Sequence, residues 1–366
     1  MVSSIASICI LGLLVIVHEA GHFLVARWSG VRILRFSIGF GPRLMRWTRG
    51  PTEYAVSAIP LGGYVKMAGE QGTEPRHGSG QAGEPWEYLA KSVGTRARII
   101  LAGPFVNYLV AVVSLWVVFV VGYPELLPVV GTVKEKTPAE AARLQRGDRI
   151  QSVDTHPVRT WDEMTRLITA APDRPLAFLI GRNGVSVPVT ITPQPKDVAD
   201  PFGRPKTIGQ IGISPSGAFQ ASRVGPVAAI GRTIRQHNEW IGQTMLGLWL
   251  MVTGKRSMRD SVTGPIGILY LTSEAVRMGF APLLFLVSLL SLSLAIFNLF
   301  PIPVLDGGHL LFLALEWLRG RPVSLRVQEQ SIQAGFALLV ILVLIVCVND
   351  ASRFGVFEKI AGWMGR

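Results

Sequence analysis

The segment His18-Glu19-Ala20-Gly21-His22 carries two imidazoles four residues apart. On an α-helix that spacing puts both rings on one face, where they can reach a single metal ion, with Glu19 offset along the same turn. A chain of 366 residues with six histidines would show this pattern by chance about 0.004 times, so it reads as chemistry rather than accident. A catalytic zinc centre takes a third protein ligand and leaves one position to water. The candidate is Asp306, in the run Asn298-Leu299-Phe300-Pro301-Ile302-Pro303-Val304-Leu305-Asp306-Gly307-Gly308-His309. An Asp-Gly pair after two prolines would by itself be an ordinary turn, and it is the partnership with the histidines that makes it a ligand. Such a centre hydrolyses amide bonds by polarising the carbonyl and acidifying its water, with Glu19 as general base. Asn298 either donates to the developing oxyanion or packs helices together. His77, His156 and His237 lie in polar contexts and read as surface residues, and His309 as a supporting or packing residue.

These residues must be held inside a membrane. The chain is 49% hydrophobic and only 16% charged, with a mean hydropathy of +0.39, whereas soluble domains are nearer a quarter charged. Disordered, coiled-coil and purely soluble classes are thereby excluded. Four runs lack Asp, Glu, Lys and Arg: Val2 to Val17, Ile99 to Gly122, Met278 to Leu305 and Gln330 to Asn349. Each is long enough to form a membrane-spanning helix. The first lacks a basic leader and a small-residue cleavage site, so it reads as an anchor and not as a signal peptide. Residues 27–98 carry eleven Lys and Arg against five acids, which assigns them to the cytoplasmic side. Four spans then leave residues 123–281 outside and bring the histidines and Asp306 to similar depth near the cytoplasmic face. The net charge of +12 is accounted for by such loops, and no nucleic-acid partner is needed. Trp240 to Gly254 is short for a span and reads as an amphipathic helix at the outer interface. Cys9 and Cys347 lie in separate apolar runs and support neither a disulfide framework nor a metal site.

Two segments outside the spans carry recognition signals. Between residues 126 and 215 the charge density becomes ordinary, apolar residues alternate and turn residues recur, as in a small α+β domain. From Thr137 to Val158, above all in Leu144-Gln145-Arg146-Gly147-Asp148-Arg149-Ile150, the sequence resembles a PDZ domain. That resemblance implies a groove that binds extended peptides, the alternative being a β-rich spacer. On the cytoplasmic side Tyr54, Val56 and Ala58 alternate, Gly62-Gly63 is expected to turn, and Tyr64-Val65 to return as a β-hairpin. Such a hairpin either offers an edge to an unwound substrate or seals the site's mouth.

Together these residues resemble the site-2 protease family of intramembrane zinc metalloproteases, in particular its RseP-like bacterial branch. The resemblance rests on the histidine motif, Phe36-Ser37-Ile38-Gly39-Phe40-Gly41, Ile59-Pro60-Leu61-Gly62-Gly63-Tyr64-Val65-Lys66-Met67, Gly103-Pro104-Phe105-Val106-Asn107, Gly264-Pro265-Ile266-Gly267 and the Asn298–Gly307 run. It implies a polytopic α-helical membrane protein of four transmembrane helices, with a membrane-associated β-hairpin and an inserted extracytoplasmic PDZ domain. The expected boundaries are 1–26 for the first span, 27–98 for the hairpin region and 99–122 for the second span. The PDZ domain follows at 124–219, interfacial helices at 220–277, and the third and fourth spans at 278–310 and 330–349. His18, His22 and Asp306 would hold Zn2+, Glu19 would be the base, and Asn298 would support the reacting carbonyl. Tyr54, Val56, Gly62, Gly63, Tyr64 and Asn107 are the expected substrate-binding residues. The implied substrates are single-span membrane proteins already shortened by another protease, of the anti-sigma-factor type, and remnant signal peptides. The implied location is the bacterial inner membrane, with the active site toward the cytoplasm. Known RseP proteins carry two PDZ modules and this chain shows one, which leaves open whether the module filters substrates by size or docks peptides. A peptide-recruiting scaffold would have no use for a buried base, and a metal transporter would need polar residues along more spans than are found here.

Overall fold

The computed structural model describes residues 2–70, 84–199, 205–255 and 263–353. The chain opens with α1 (Val2–Trp28), β1 (Ile33–Arg49), β2 (Thr52–Met67) and α2 (Val93–Val121). A mixed region follows: β3 (Tyr123–Leu126), β4 (Val130–Val133), α3 (Pro138–Ala141), β5 (Arg149–Val153), β6 (His156–Pro157) and α4 (Trp161–Thr169). It continues through β7 (Leu176–Arg182), β8 (Val185–Ile191), β9 (Gln194–Ala199), β10 (Pro205–Gln210), β11 (Ile213–Pro215) and β12 (Phe219–Ser222). The described helices that close the chain are α5 (Pro226–Val252), α6 (Pro265–Met278), α7 (Phe280–Asn298), α8 (Asp306–Arg319) and α9 (Leu325–Arg353). Residues 1–117 with 262–366 form one unit and residues 118–261 another.

Among the described residues of the first unit, four helices are long and apolar enough to cross a membrane, over Ala6–Trp28, Val93–Val121, Phe280–Asn298 and Leu325–Ser352. The second of these ends inside the other unit. The third apolar run is not one helix. It breaks after Asn298, because Pro301 and Pro303 lack the N–H that a continuing helix requires. Helix α8 restarts at Asp306, and its first turn folds back tightly on the break. A Cβ on Gly307 would lie 2.2 Å from the Phe300 carbonyl, and one on Gly308 2.3 Å from that of Ile302. Glycine is therefore required at both positions to let the Asp306 backbone come so close.

Strands β1 and β2 form a bent antiparallel sheet whose chain path differs from the hairpin expected at Gly62-Gly63. The reversal falls at Gly50-Pro51, with Gly50 at φ +61°. Residues 33–38 of β1 pair on one side with Glu53–Val56 and on the other with Gly63–Met67. The two halves of β2 thus flank β1 instead of each other, and Gly62, at φ +113°, marks a bend rather than a turn. Residues 63–67 form one border of this sheet and lie beside α1.

The second unit has its own core, built from Val130, Ile150, Val153, Met164, Leu176, Phe178, Ile180 and Ile191. Its main sheet runs β6-β5-β7-β8, with β4 pairing β11 and β9 pairing β10. Thr160 caps α4 through a reciprocal pair with Glu163, so two of the helix's unsatisfied donors find partners. Strands β3 and β12 pair antiparallel, Tyr123 opposite Ser222, and bring the two ends of the mixed domain together. Helix α5 is a 27-residue element, longer than the segment from Trp240 expected to lie at the interface, and is not among the four spans. His237, expected at the surface, is fully buried on α5 with Nδ1 2.9 Å from the Thr233 carbonyl. A polar local sequence does not reveal which face of a 27-residue helix is covered. His156 is exposed, and His77 lies outside the described residues.

Candidate metal centre

Helix α1 carries His18 and His22 one turn apart, both buried, their rings meeting edge to face at 4.8 Å. Asp306, first residue of α8, brings its carboxylate to them across the bundle. His18 Nε2 lies 3.1 Å from His22 Nε2 and 3.1 Å from Asp306 Oδ2, and His22 Nε2 lies 3.5 Å from Asp306 Oδ1. Three ligand atoms around a tetrahedral zinc with bonds near 2.0 Å would stand roughly 3.3 Å apart. The observed separations are of that order, the two histidines facing different oxygens of the Asp306 carboxylate. Two imidazole nitrogens and a carboxylate oxygen are also the donor types zinc takes, so the residues fit the metal. Among the described residues this is the one group of three or more such side chains close enough to share an ion.

Helix α2 supplies the wall behind the histidines. A Cβ on Gly103 would lie 2.3 Å from His22 Nε2 and 2.7 Å from His18 Cε1, so only glycine leaves room for the two rings. Gly21 has the same role on the facing helix, since its Cβ would come within 2.5 Å of the Ala102 carbonyl. The His22 ring is oriented by Nδ1–H, which donates to the Ile99 carbonyl at 2.9 Å and leaves the Nε2 lone pair facing Asp306. Motif spacing alone does not expose these contributions, although the Gly103-to-Asn107 segment is one of the motifs that carry the family resemblance.

The other expected residues divide into two groups. Glu19 is half-buried and faces β2, its Cγ 3.4 Å from where a Gly63 Cβ would stand. Gly63 therefore lets the sheet border approach the acid. Tyr64 accepts a hydrogen bond from Arg35 at 3.2 Å and stacks with Phe40, while Tyr54 stacks on Trp47 and Val56 pairs with both Ile38 and Met45. Gly62 sits against the Phe40 ring, which a Cβ would overlap at 2.4 Å. Asn107 is fully buried, its Nδ2 3.3 Å from His18 Nδ1. Asn298 ends α7, half-buried, without a hydrogen bond to the three clustered residues. His309 is half-buried and meets Phe312 edge to face.

The model for peptidase family M50 matches residues 6–342, nearly the whole chain. The chain belongs to that family, the site-2 proteases. A Rhizobium meliloti (strain 1021) protein that carries a zinc metalloprotease name is 38% identical over 354 residues, covering 94% of each chain. The zinc metalloprotease RasP of Geobacillus kaustophilus is 31% identical, covering 96% of this chain and 98% of its own. The regulator of sigma-E protease RseP of Salmonella typhimurium (strain 14028s) is 33% identical, covering 95% and 98%. The PDZ domain of an SdrC-like protein from Listeria innocua shares 24% identity over 26% of this chain and 97% of its own, at a TM-score of 0.19. As a member of the M50 family the chain is an integral membrane metallopeptidase.

Proposed function

We propose that this chain is a zinc-dependent intramembrane endopeptidase that cuts the membrane-spanning segments of single-span proteins. The observation that carries this reading is the convergence of His18, His22 and Asp306 at 3.1–3.5 Å, with Glu19 on the same turn. Bound there, zinc supplies Lewis-acid polarisation and an acidified water at neutral pH. Glu19 takes up the proton released at attack on its carboxylate oxygen and returns it to the departing amine. Asp306 supplies the negative charge of the ligand set, and the Ile99 carbonyl holds the His22 ring in place. Asn298, at the end of α7, is assigned to the reacting carbonyl.

A substrate helix hides its peptide bonds in its own hydrogen bonds and must be extended before attack. The border formed by residues 63–67 lies next to Glu19, and an extended substrate chain would add along it as a strand. Tyr54, Val56, Gly62, Gly63 and Tyr64 belong to this sheet and shape its approach. The names of the RasP and RseP relatives support a role in regulated proteolysis, with anti-sigma-factor-like proteins already cut by another protease as substrates. Remnant signal peptides fit the same site. The lysine- and arginine-rich segment 27–98 supports a cytoplasmic placement of the centre in a bacterial inner membrane and puts the PDZ-like domain outside.

The test is cleavage of a tagged single-span substrate in liposomes by the wild type and by Glu19→Gln, with zinc measured in both. The wild type should cut and hold about one zinc per chain. Glu19→Gln should keep the zinc and lose about 10²–10⁴ of the rate. Wild-type cutting by the variant would remove Glu19 from the mechanism. Undiminished zinc in a His18→Ala, His22→Ala double variant would remove the metal assignment.

A further inference from the structure

Asn107 lies on α2, two turns beyond Ile99, and is completely buried. Its Nδ2 is 3.3 Å from His18 Nδ1, and its Oδ1 has no hydrogen-bond partner. Its backbone carbonyl accepts from the Ser291 hydroxyl at 2.7 Å, which pins this turn of α2 to α7. The proton inventory at His18 decides what the side chain does. A neutral imidazole has one N–H, so a ring that offers its Nε2 lone pair to a metal must carry the proton on Nδ1. His22 meets this condition, because the Ile99 carbonyl can only accept. At His18 an amide N–H facing Nδ1 would instead favour the opposite tautomer and spoil the ligand.

A half-turn of the carboxamide exchanges its oxygen and nitrogen at almost no change in shape, and the oxygen has no donor holding it where it stands. We propose that Asn107 is the positioning residue of the metal centre, its Oδ1 accepting from His18 Nδ1–H to fix that ring as the Nε2-ligating tautomer. Helix α2 then serves both ligands, His22 through a backbone carbonyl and His18 through a side-chain one. This assignment rests on the reading of His18 as a zinc ligand.

Two substitutions separate acceptance from mere packing. A carboxylate has the shape of a carboxamide and only accepts, so Asn107→Asp retains what the oxygen does and removes the amide donor. Asn107→Leu fills the space with neither. Zinc affinity of the purified full-length protein is measured by competition with a chromophoric chelator, and the cobalt-substituted form is followed by its visible d–d absorption. Asn107→Leu should bind zinc about 10–100-fold more weakly and shift the cobalt bands. Asn107→Asp should stay within about threefold of the wild type or bind more tightly. Equal losses in both variants, or wild-type affinity in Asn107→Leu, would overturn the role of Asn107 while leaving the metal centre standing. A wild type that binds no zinc would overturn the centre itself and this assignment with it.

Discussion

Arg96 and Glu316, 220 residues apart in sequence, form a bidentate ion pair, with Nη1 at 3.1 Å and Nη2 at 2.5 Å from the two carboxylate oxygens. Both side chains are largely buried, and Arg96 also donates through Nε to the Lys91 carbonyl. The pair fastens the start of α2 to the last turn of α8, the helix whose first residue is Asp306. Apolar contacts of Leu313 with Ile99 and Ile100 lie in the same cluster. Asp306, from the far end of the chain, is thus held against the helix that backs both histidines.

Breaking that pair from one side leaves a charge buried without a partner. Arg96→Met should lower stability by about 3–5 kcal/mol, read as a lower thermal midpoint in detergent. The double variant Arg96→Met, Glu316→Leu should recover much of the loss, because neither charge remains to be desolvated. A double variant no more stable than Arg96→Met would show that packing, not charge, joins the helices.

Gly103 leaves no room for a side chain beside the two imidazoles. Gly103→Ala should displace the imidazoles by a large fraction of an ångström and cost about 100-fold in rate, with zinc content falling alongside. Gly94→Ala on the same helix is the control, since its Cβ would meet nothing within 4 Å. Activity and zinc analysis of the two variants check this.

The orientation proposed from the charge of residues 27–98 can be read by labelling. Single cysteines at positions 84–90 should react with an impermeant thiol reagent only from the cytoplasmic side, in a Cys9→Ala, Cys347→Ala background. Cysteines at exposed positions among residues 150–190 should react only from outside. Both sets labelling from one side would break the four-span arrangement.

The mixed domain contains a pH-sensitive ion pair. Asp148 is buried, and burial opposes its ionisation. Two hydrogen bonds from Arg182, at 2.8 and 2.7 Å, and one from the Gln145 amide at 2.8 Å outweigh that and hold the carboxyl below the ordinary value of 3.8. A carboxyl whose folded pKa is depressed adds stability above its unfolded pKa and loses it as pH falls through the folded one. Protease resistance of residues 124–219 in the intact chain should therefore be level from pH 7 to about pH 5 and fall below about pH 4. Arg182→Met should weaken resistance already at neutral pH. Unchanged resistance in that variant would show that the pair does not secure the domain.

The four apolar helices were legible in the sequence because a membrane demands long uncharged runs whatever the rest of the chain does. Pairing of His18 with His22 was equally legible, since the helical repeat alone puts residues four apart on one face. The end of a helix at Pro301 and Pro303 follows from missing N–H groups, though the restart at Asp306 does not. In the sheet, local alternation marked the strands but not their neighbours. Residues 53–56 and 63–67 look like two arms of one hairpin, yet β1 lies between them, because pairing depends on segments outside the local window.

What only the tertiary structure decided is the part played by α2. Nothing in a helical apolar run says that the Ile99 carbonyl meets His22, that Gly103 makes room for two rings, or that Asn107 faces His18. Burial of His237 was hidden for the same reason. The amino-acid sequence by itself determined which groups could do metal chemistry and which runs are apolar enough to cross a membrane, since residue type and helical period are local properties. Which backbone atom orients a ring, and how closely two helices approach, are set by contacts between distant segments, and only the folded chain brings those into being.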